Sequence, residues 1–87
     1  MQKYADSYLI CLDDKTPVGF VGSINGDIRV ATHPDHKGKG YGKIMIDAIM
    51  KEFPESFAKV KIDNDASLSL FKSSGFVPKY VVLHKIK

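Results

Sequence analysis

The chain has 87 residues, 44% hydrophobic and 26% charged, which suits one globular domain over residues 1–87 and excludes a disordered tract or several domains. Thirteen basic residues against ten acids give a formal net charge of +3, too mild and too scattered for the basic stripe of a nucleic-acid binder. A single cysteine, Cys11, excludes an internal disulfide and a Cys/His zinc site, and the N-terminal apolar run is too short for a signal peptide or membrane span, so a cytoplasmic protein with no nucleic-acid or membrane partner and no metal is expected.

Tyr8 to Leu12 (YLICL) is a short apolar run closed by Asp13-Asp14-Lys15-Thr16-Pro17, which predicts a strand and a turn. Val18 to Ile24 predicts a second strand. Asn25-Gly26, the strongest hairpin signal in the chain, returns it as a third over Asp27 to Thr32. An antiparallel meander is expected.

From Tyr41 to Phe53 apolar residues recur at helical spacing, with Ile44, Met45, Ala48 and Ile49 as the core stripe, and Pro54 ends the helix. Phe57 to Asp63 alternates, placing Ala58, Val60 and Ile62 on one face and Lys59 and Lys61 on the other, which predicts a strand with one wet side. A second helix over Ala66 to Ser74 is capped by Asn64 or Asp65 and stopped by Gly75. Phe76 to Ile86 is expected to be extended, with Pro78 marking an edge or bulge. The order βββ, helix, β, helix, β makes an α+β fold with one parallel crossover between residues 27 and 63.

Gly38, Gly40 and Gly42 alternate with Lys37, Lys39, Tyr41 and Lys43 immediately before the first helix. Glycines there bare several N–H groups at the positive helix end, and the lysines add charge, so the stretch is an anion site. It is not a Walker A loop, because Lys43 is followed by Ile44 and not by Ser or Thr. Nor is it a Rossmann loop, which would read GxGxxG after the first strand of a parallel unit.

Residues 32–45, THPDHKGKGYGKIM, resemble motif A of the GNAT superfamily of acetyl-CoA-dependent N-acetyltransferases, with Lys37 at the Gln/Arg position and Gly40 and Gly42 at the glycine positions. A second block is in register: Asn64, Ser67, Leu70-Phe71 and Gly75-Phe76 are similar to the family's Asn-x-x-Ala-x-x-Leu-Tyr-x-x-x-Gly-Phe. The resemblance implies a mixed sheet with a splayed pair of parallel strands, the one before the loop and the one over Phe57 to Ile62. It implies that the amides and lysines of Lys37, Gly38, Lys39, Gly40, Tyr41, Gly42 and Lys43 cradle the pyrophosphate of coenzyme A. Main chain at Val30, Ala31 and Thr32 would pair with its pantetheine arm, and Asn64 and Phe71 would border it. The implied reaction is acetyl transfer from acetyl-CoA to a small-molecule or peptide amine by direct attack in a ternary complex.

Two departures stand out. Only residues 1–7 precede the first predicted strand, so the family's first strand and two helices, which build much of the acceptor site, have little room. The sheet should therefore keep an uncovered apolar strip, and a homodimer is expected to cover it. Phe71 stands where many members carry a Tyr general acid, and losing such an acid costs roughly 10²–10⁴-fold. A non-catalytic module that senses acetyl-CoA is the alternative. His33, at the end of the strand lining the cleft, is the catalytic candidate among the side chains; His36 reads as a solvated loop residue, Cys11 as core, and Tyr8, Tyr41 and Tyr80 as the remaining phenols. Asp13-Asp14 and Asp63-Asn64-Asp65 read as turns and caps, without the spacing of a calcium loop.

Overall fold

The computed structural model describes residues 1–86. Four strands, β1 (Gln2–Ala5), β2 (Tyr8–Asp13), β3 (Thr16–Ile24) and β4 (Asp27–Thr32), form an antiparallel sheet in the order β1-β2-β3-β4. A 3-10 turn (Pro34–His36) and two helices, α1 (Tyr41–Glu52) and α2 (Asp65–Ser73), follow.

The β3–β4 hairpin closes on Asn25 and Gly26, both at positive φ (52° and 85°), the mirror-image turn that matches strand twist. This turn pairs Ile24 with Asp27 and so fixes the register, Ser23 opposite Ile28, Val21 opposite Val30 and Gly19 opposite Thr32. The register puts Leu9, Cys11, Val21 and Ile28 on one face, where they form a single buried cluster with Val18, with Met45, Ile46 and Ile49 of α1, and with Phe71 of α2. Both helices cover that face. The other keeps Phe20 exposed, with Tyr8 beside it at a ring separation of 6.0 Å.

Four features differ from the sequence reading. First, β1 is present: Gln2 and Lys3 pair with Ile10 and Leu9, and a turn at Asp6-Ser7 joins the strands. QKYA is too short and polar to announce a strand by alternation, and it is recruited by the edge of β2.

Second, the inward face of α1 keeps Met45, Ala48 and Ile49 as read but takes Ile46 in place of Ile44. Ile44 is 53% exposed and Ile46 fully buried, because Gly42 must face α2: a Cβ there would lie 2.9 Å from Leu70 Cδ2. Gly42 and Ile46 are one turn apart on one helix face, so the side that meets α2 carries Ile46 inside and turns Ile44 out.

Third, the strand expected over Phe57 to Asp63 is reduced to one parallel bridge, Asp27 with Phe57. Ala58 and Val60 keep the predicted half-buried face and pack on the core, but Ile62 is 89% exposed. Fourth, Phe76 to Ile86 forms no strand: Phe76 packs on the core, whereas Val77, Tyr80 to Leu83 and Ile86 are exposed. These two failures share a cause, since an extended segment becomes a strand only when a neighbour satisfies its N–H and C=O groups. Neither segment has such a neighbour along its length among the described residues.

Truncating Ile46 to Ala should cost about 2–5 kcal/mol, because it leaves a cavity in the core beside α1. Ile44→Ala should change stability by no more than about 0.5 kcal/mol. Urea unfolding of the two variants checks the rotation of the helix, and equal costs would contradict it.

Candidate functional site

The site begins at the parallel bridge. The Phe57 N–H donates to the Gly26 carbonyl at 2.7 Å and the Ile28 N–H to the Phe57 carbonyl at 2.9 Å. Beyond that pair the segments part, and no further bridge joins residues 58–63 to β4 among the described residues. Main-chain direction alternates along a strand, so Val30 and Thr32 aim N–H and C=O to the same side as Ile28, into the gap. Ala31 and His33 aim at β3 instead, as the His33 N–H to Val18 carbonyl bond of 2.7 Å requires. Of the three strand residues singled out in the sequence, two thus present free main chain to the gap and Ala31 does not.

The gap leads to the glycine loop. Gly38 and Gly40 hold φ of 82° and 84°, a region costly for other L-residues, and a Cβ at either would meet nothing within 4 Å. The loop is therefore open to a ligand rather than packed under protein. Gly40 is the N-cap of α1 and offers no side-chain cap, the first turn contains no acid, and the Ile44 N–H reaches the Gly40 carbonyl only at 3.4 Å. The first-turn amides of a twelve-residue helix are left without a side-chain cap and the turn carries no acid of its own, which is the condition for holding an anion at a helix start. Lys37 and Lys39 are exposed beside it and form no ion pair among the described residues. Lys43 lies along the helix, 3.3 Å from Asp47. Gly42 contributes its N–H to the helix start, while its bare Cα serves the packing against Leu70.

The remaining predicted side chains divide. Asn64 caps α2 by accepting the Ser67 N–H at 3.1 Å. Phe71 is buried in the core, edge-on to Phe76 with ring centres 5.2 Å apart, and carries no hydroxyl. His33 caps the 3-10 turn, its Nδ1 accepting the Asp35 N–H at 3.2 Å, so Nε2 is the nitrogen left for a ligand. The Tyr41 hydroxyl donates to Asp13 Oδ2 at 2.6 Å, and that hydrogen bond is the main reason its pKa lies above the usual 10.0, with desolvation adding. Sequence reasoning missed this contact, because the two residues are 28 apart and no spacing announces it. Tyr80 is 84% exposed on the C-terminal segment, away from the core.

A shallow concavity of about 700 Å³ lies on the helix-free face of the sheet, bordered by Tyr8, Ile10, Val18, Phe20, Ala31 and His33. It meets the gap at the end of β4 and carries no carboxylate among its lining residues. Among the described residues no three His, Cys, Asp or Glu side chains are grouped to hold a metal ion, and no helix is long and apolar enough to cross a membrane.

The model of the acetyltransferase (GNAT) family matches residues 1–76. The chain belongs to that family. Its fold is that of solved aminoglycoside acetyltransferases. AAC(6')-Iy in complex with a bisubstrate analogue, CoA-S-monomethyl-acetylneamine, superposes at a TM-score of 0.71 with 17% identity, covering 95% of this chain and 71% of the other. The same enzyme in complex with CoA gives 0.69 and 16%, with 92% and 75% covered. The ligand-free aminoglycoside 6'-N-acetyltransferase AAC(6')-IG of Acinetobacter haemolyticus gives 0.64 and 20%, with 93% and 70% covered. No curated protein sequence matches the chain. At these identities the likeness is one of fold, and it includes the α+β architecture read from the sequence.

Cys11 is 4% exposed, and burial pushes its thiol above the usual 9.0. Both effects suppress the thiolate, so Ellman's reagent at pH 8 should modify it at least ~100-fold more slowly than a free thiol. The rate should rise to the free value once urea unfolds the sheet. Rapid modification of the folded protein would contradict its placement in the core.

Proposed function

We propose that this chain binds acetyl-CoA and transfers its acetyl group to an amine. The observation that carries the reading is the pairing of an opened main-chain edge, Val30 and Thr32, with an uncapped helix start whose loop is free of covering atoms. The amides of residues 38–43 would receive the pyrophosphate, with Lys37 and Lys39 supplying counter-charge. Val30 and Thr32 would pair with the pantetheine amides and place an N–H on the thioester carbonyl, where charge builds as the amine attacks. His33 Nε2 is the side-chain atom at the end of the gap that can take the amine proton.

Neither position at the loop where a phenol could protonate the leaving thiol offers a free hydroxyl, since residue 71 is Phe and the Tyr41 hydroxyl donates to Asp13. A thiol of pKa near ~8.5 leaves as the thiolate without help. An α-amine of pKa near ~7.7 is neutral in roughly one molecule in six at pH 7, against about one in ~2,500 for a lysine, so a low-pKa amine is the favoured acceptor. The solved relatives are aminoglycoside acetyltransferases. The acceptor side of this chain, bordered by Tyr8, Ile10, Phe20 and Ala31 and lacking a carboxylate, suits an amine with an apolar body better than a polycation. A second copy of the chain would cover the exposed part of that face, and light scattering at high concentration tests the homodimer.

A second reading, a module that binds acetyl-CoA without turnover, is favoured by one observation: both candidate phenols near the loop are absent or engaged. A screen of amines followed by thiol release separates the two, because turnover on any of them removes it.

Titration calorimetry with acetyl-CoA should give saturable binding, weakened about three- to tenfold by Lys37→Gln as one exposed cation is lost. Absence of saturable heat at millimolar ligand would overturn the proposal.

A further inference from the structure

The glycine loop is built for access, and access has a mechanical consequence. A Cβ at Gly38 or Gly40 would meet nothing within 4 Å, Gly40 offers no cap, and neither Lys37 nor Lys39 is paired among the described residues. An anion cradle made of main-chain amides works only if those amides already point at the ligand, since ordering them on binding costs affinity. Some contact must hold the loop from outside itself.

Among the described residues, the side-chain hydrogen bond between this loop region and the sheet is Tyr41 to Asp13, at 2.6 Å. Asp13 is the last residue of β2, and Asp14, the next residue, takes a positive φ of 59° in the turn into β3. Tyr41 is the first residue of α1, flanked by Gly40 and Gly42. Its ring rests against the core, with the His36 ring edge-on at 6.2 Å, and these contacts restrict where its hydroxyl can go. A carboxylate accepting from a phenol makes a short, charge-assisted bond.

We infer that Asp13 is a positioning residue: by accepting the Tyr41 hydroxyl it ties the start of α1 to the β2–β3 hairpin and holds the anion-binding amides of residues 38–43 in their binding geometry. The inference rests on the coenzyme A reading for its ligand and on the contact alone for its mechanics. In this role Asp13 acts through Tyr41 and not on the ligand itself. The raised pKa of the Tyr41 phenol keeps it a donor through neutral pH. Removing either group leaves no buried unpaired partner, because the contact is exposed, so the variants fold.

The test uses Tyr41→Phe, Asp13→Ala, Asp13→Asn and the double variant Tyr41→Phe/Asp13→Ala. Hydrogen exchange of residues 38–44 in the ligand-free protein should quicken by about tenfold in Tyr41→Phe and in Asp13→Ala, with no change over residues 45–52. Calorimetry should show CoA binding weakened by about tenfold in the same two, no further in the double variant, and pantetheine, which lacks the pyrophosphate, bound as by the parent. Asp13→Asn keeps an acceptor oxygen and should restore most of both. Unchanged loop exchange, faster exchange through all of α1, additive losses, or equal weakening toward pantetheine would each overturn the inference. A parent protein that binds no CoA overturns the coenzyme reading instead, and the exchange experiment then decides the tether by itself.

Discussion

The opened edge of β4, on which the proposed function rests, depends on two main-chain hydrogen bonds, Phe57 N–H to Gly26 and Ile28 N–H to Phe57. They pin the start of the 57–63 segment to the start of β4 and then stop. Had the ladder continued, Val30 and Thr32 would have spent their N–H and C=O groups on a neighbouring strand. Because it stops, the edge of β4 remains a row of unsatisfied donors and acceptors, and a β-strand with such an edge pairs with whatever extended chain is offered. In the proposed function that partner is the pantetheine arm.

The β3–β4 turn decides which residues take part. Positive φ at Asn25 and Gly26 fixes Ile24 opposite Asp27, and main-chain alternation then sends every second residue of β4 outward. A shift of one residue would offer Arg29 and Ala31 to the gap and turn Ile28 out of the core. The glycine loop stands in a similar relation to α1. The helix is held by Met45, Ile46 and Ile49 against the sheet and by the closeness of Gly42 to Leu70, so its uncapped end projects at a fixed point beyond the core. The middle of the helix is buried in the core, and its first turn lacks a side-chain cap.

Much of this was legible in the sequence. The strands over residues 8–12, 18–24 and 27–32 announced themselves by short apolar runs and by Asn25-Gly26, and α1 by its period. The cap at Asn64 and the open loop at Gly38 and Gly40 follow from local chemistry that acts within a few residues. What escaped was non-local. The strand β1 forms because it pairs with the edge of β2, the 57–63 segment stops short of a strand because it parts from the edge of β4 after Phe57, and Ile46 displaces Ile44 because α2 packs against Gly42. The Asp13–Tyr41 bond joins residues 28 apart. In each case the deciding partner lies on another element, and a one-dimensional pattern does not contain it.

The central claim is that anion and thioester arm are held by main chain at two defined places, and amide chemical-shift mapping addresses it most directly. On titration of the full chain with coenzyme A, the N–H signals of Gly38 to Lys43 should move, and with them those of Val30 and Thr32. Those of Ala31 and Ser23, which are turned to β3 or enclosed in the core, should stay. Shifts confined to the helix-free face around Tyr8 and Phe20, or no shifts at millimolar coenzyme A, would contradict the account.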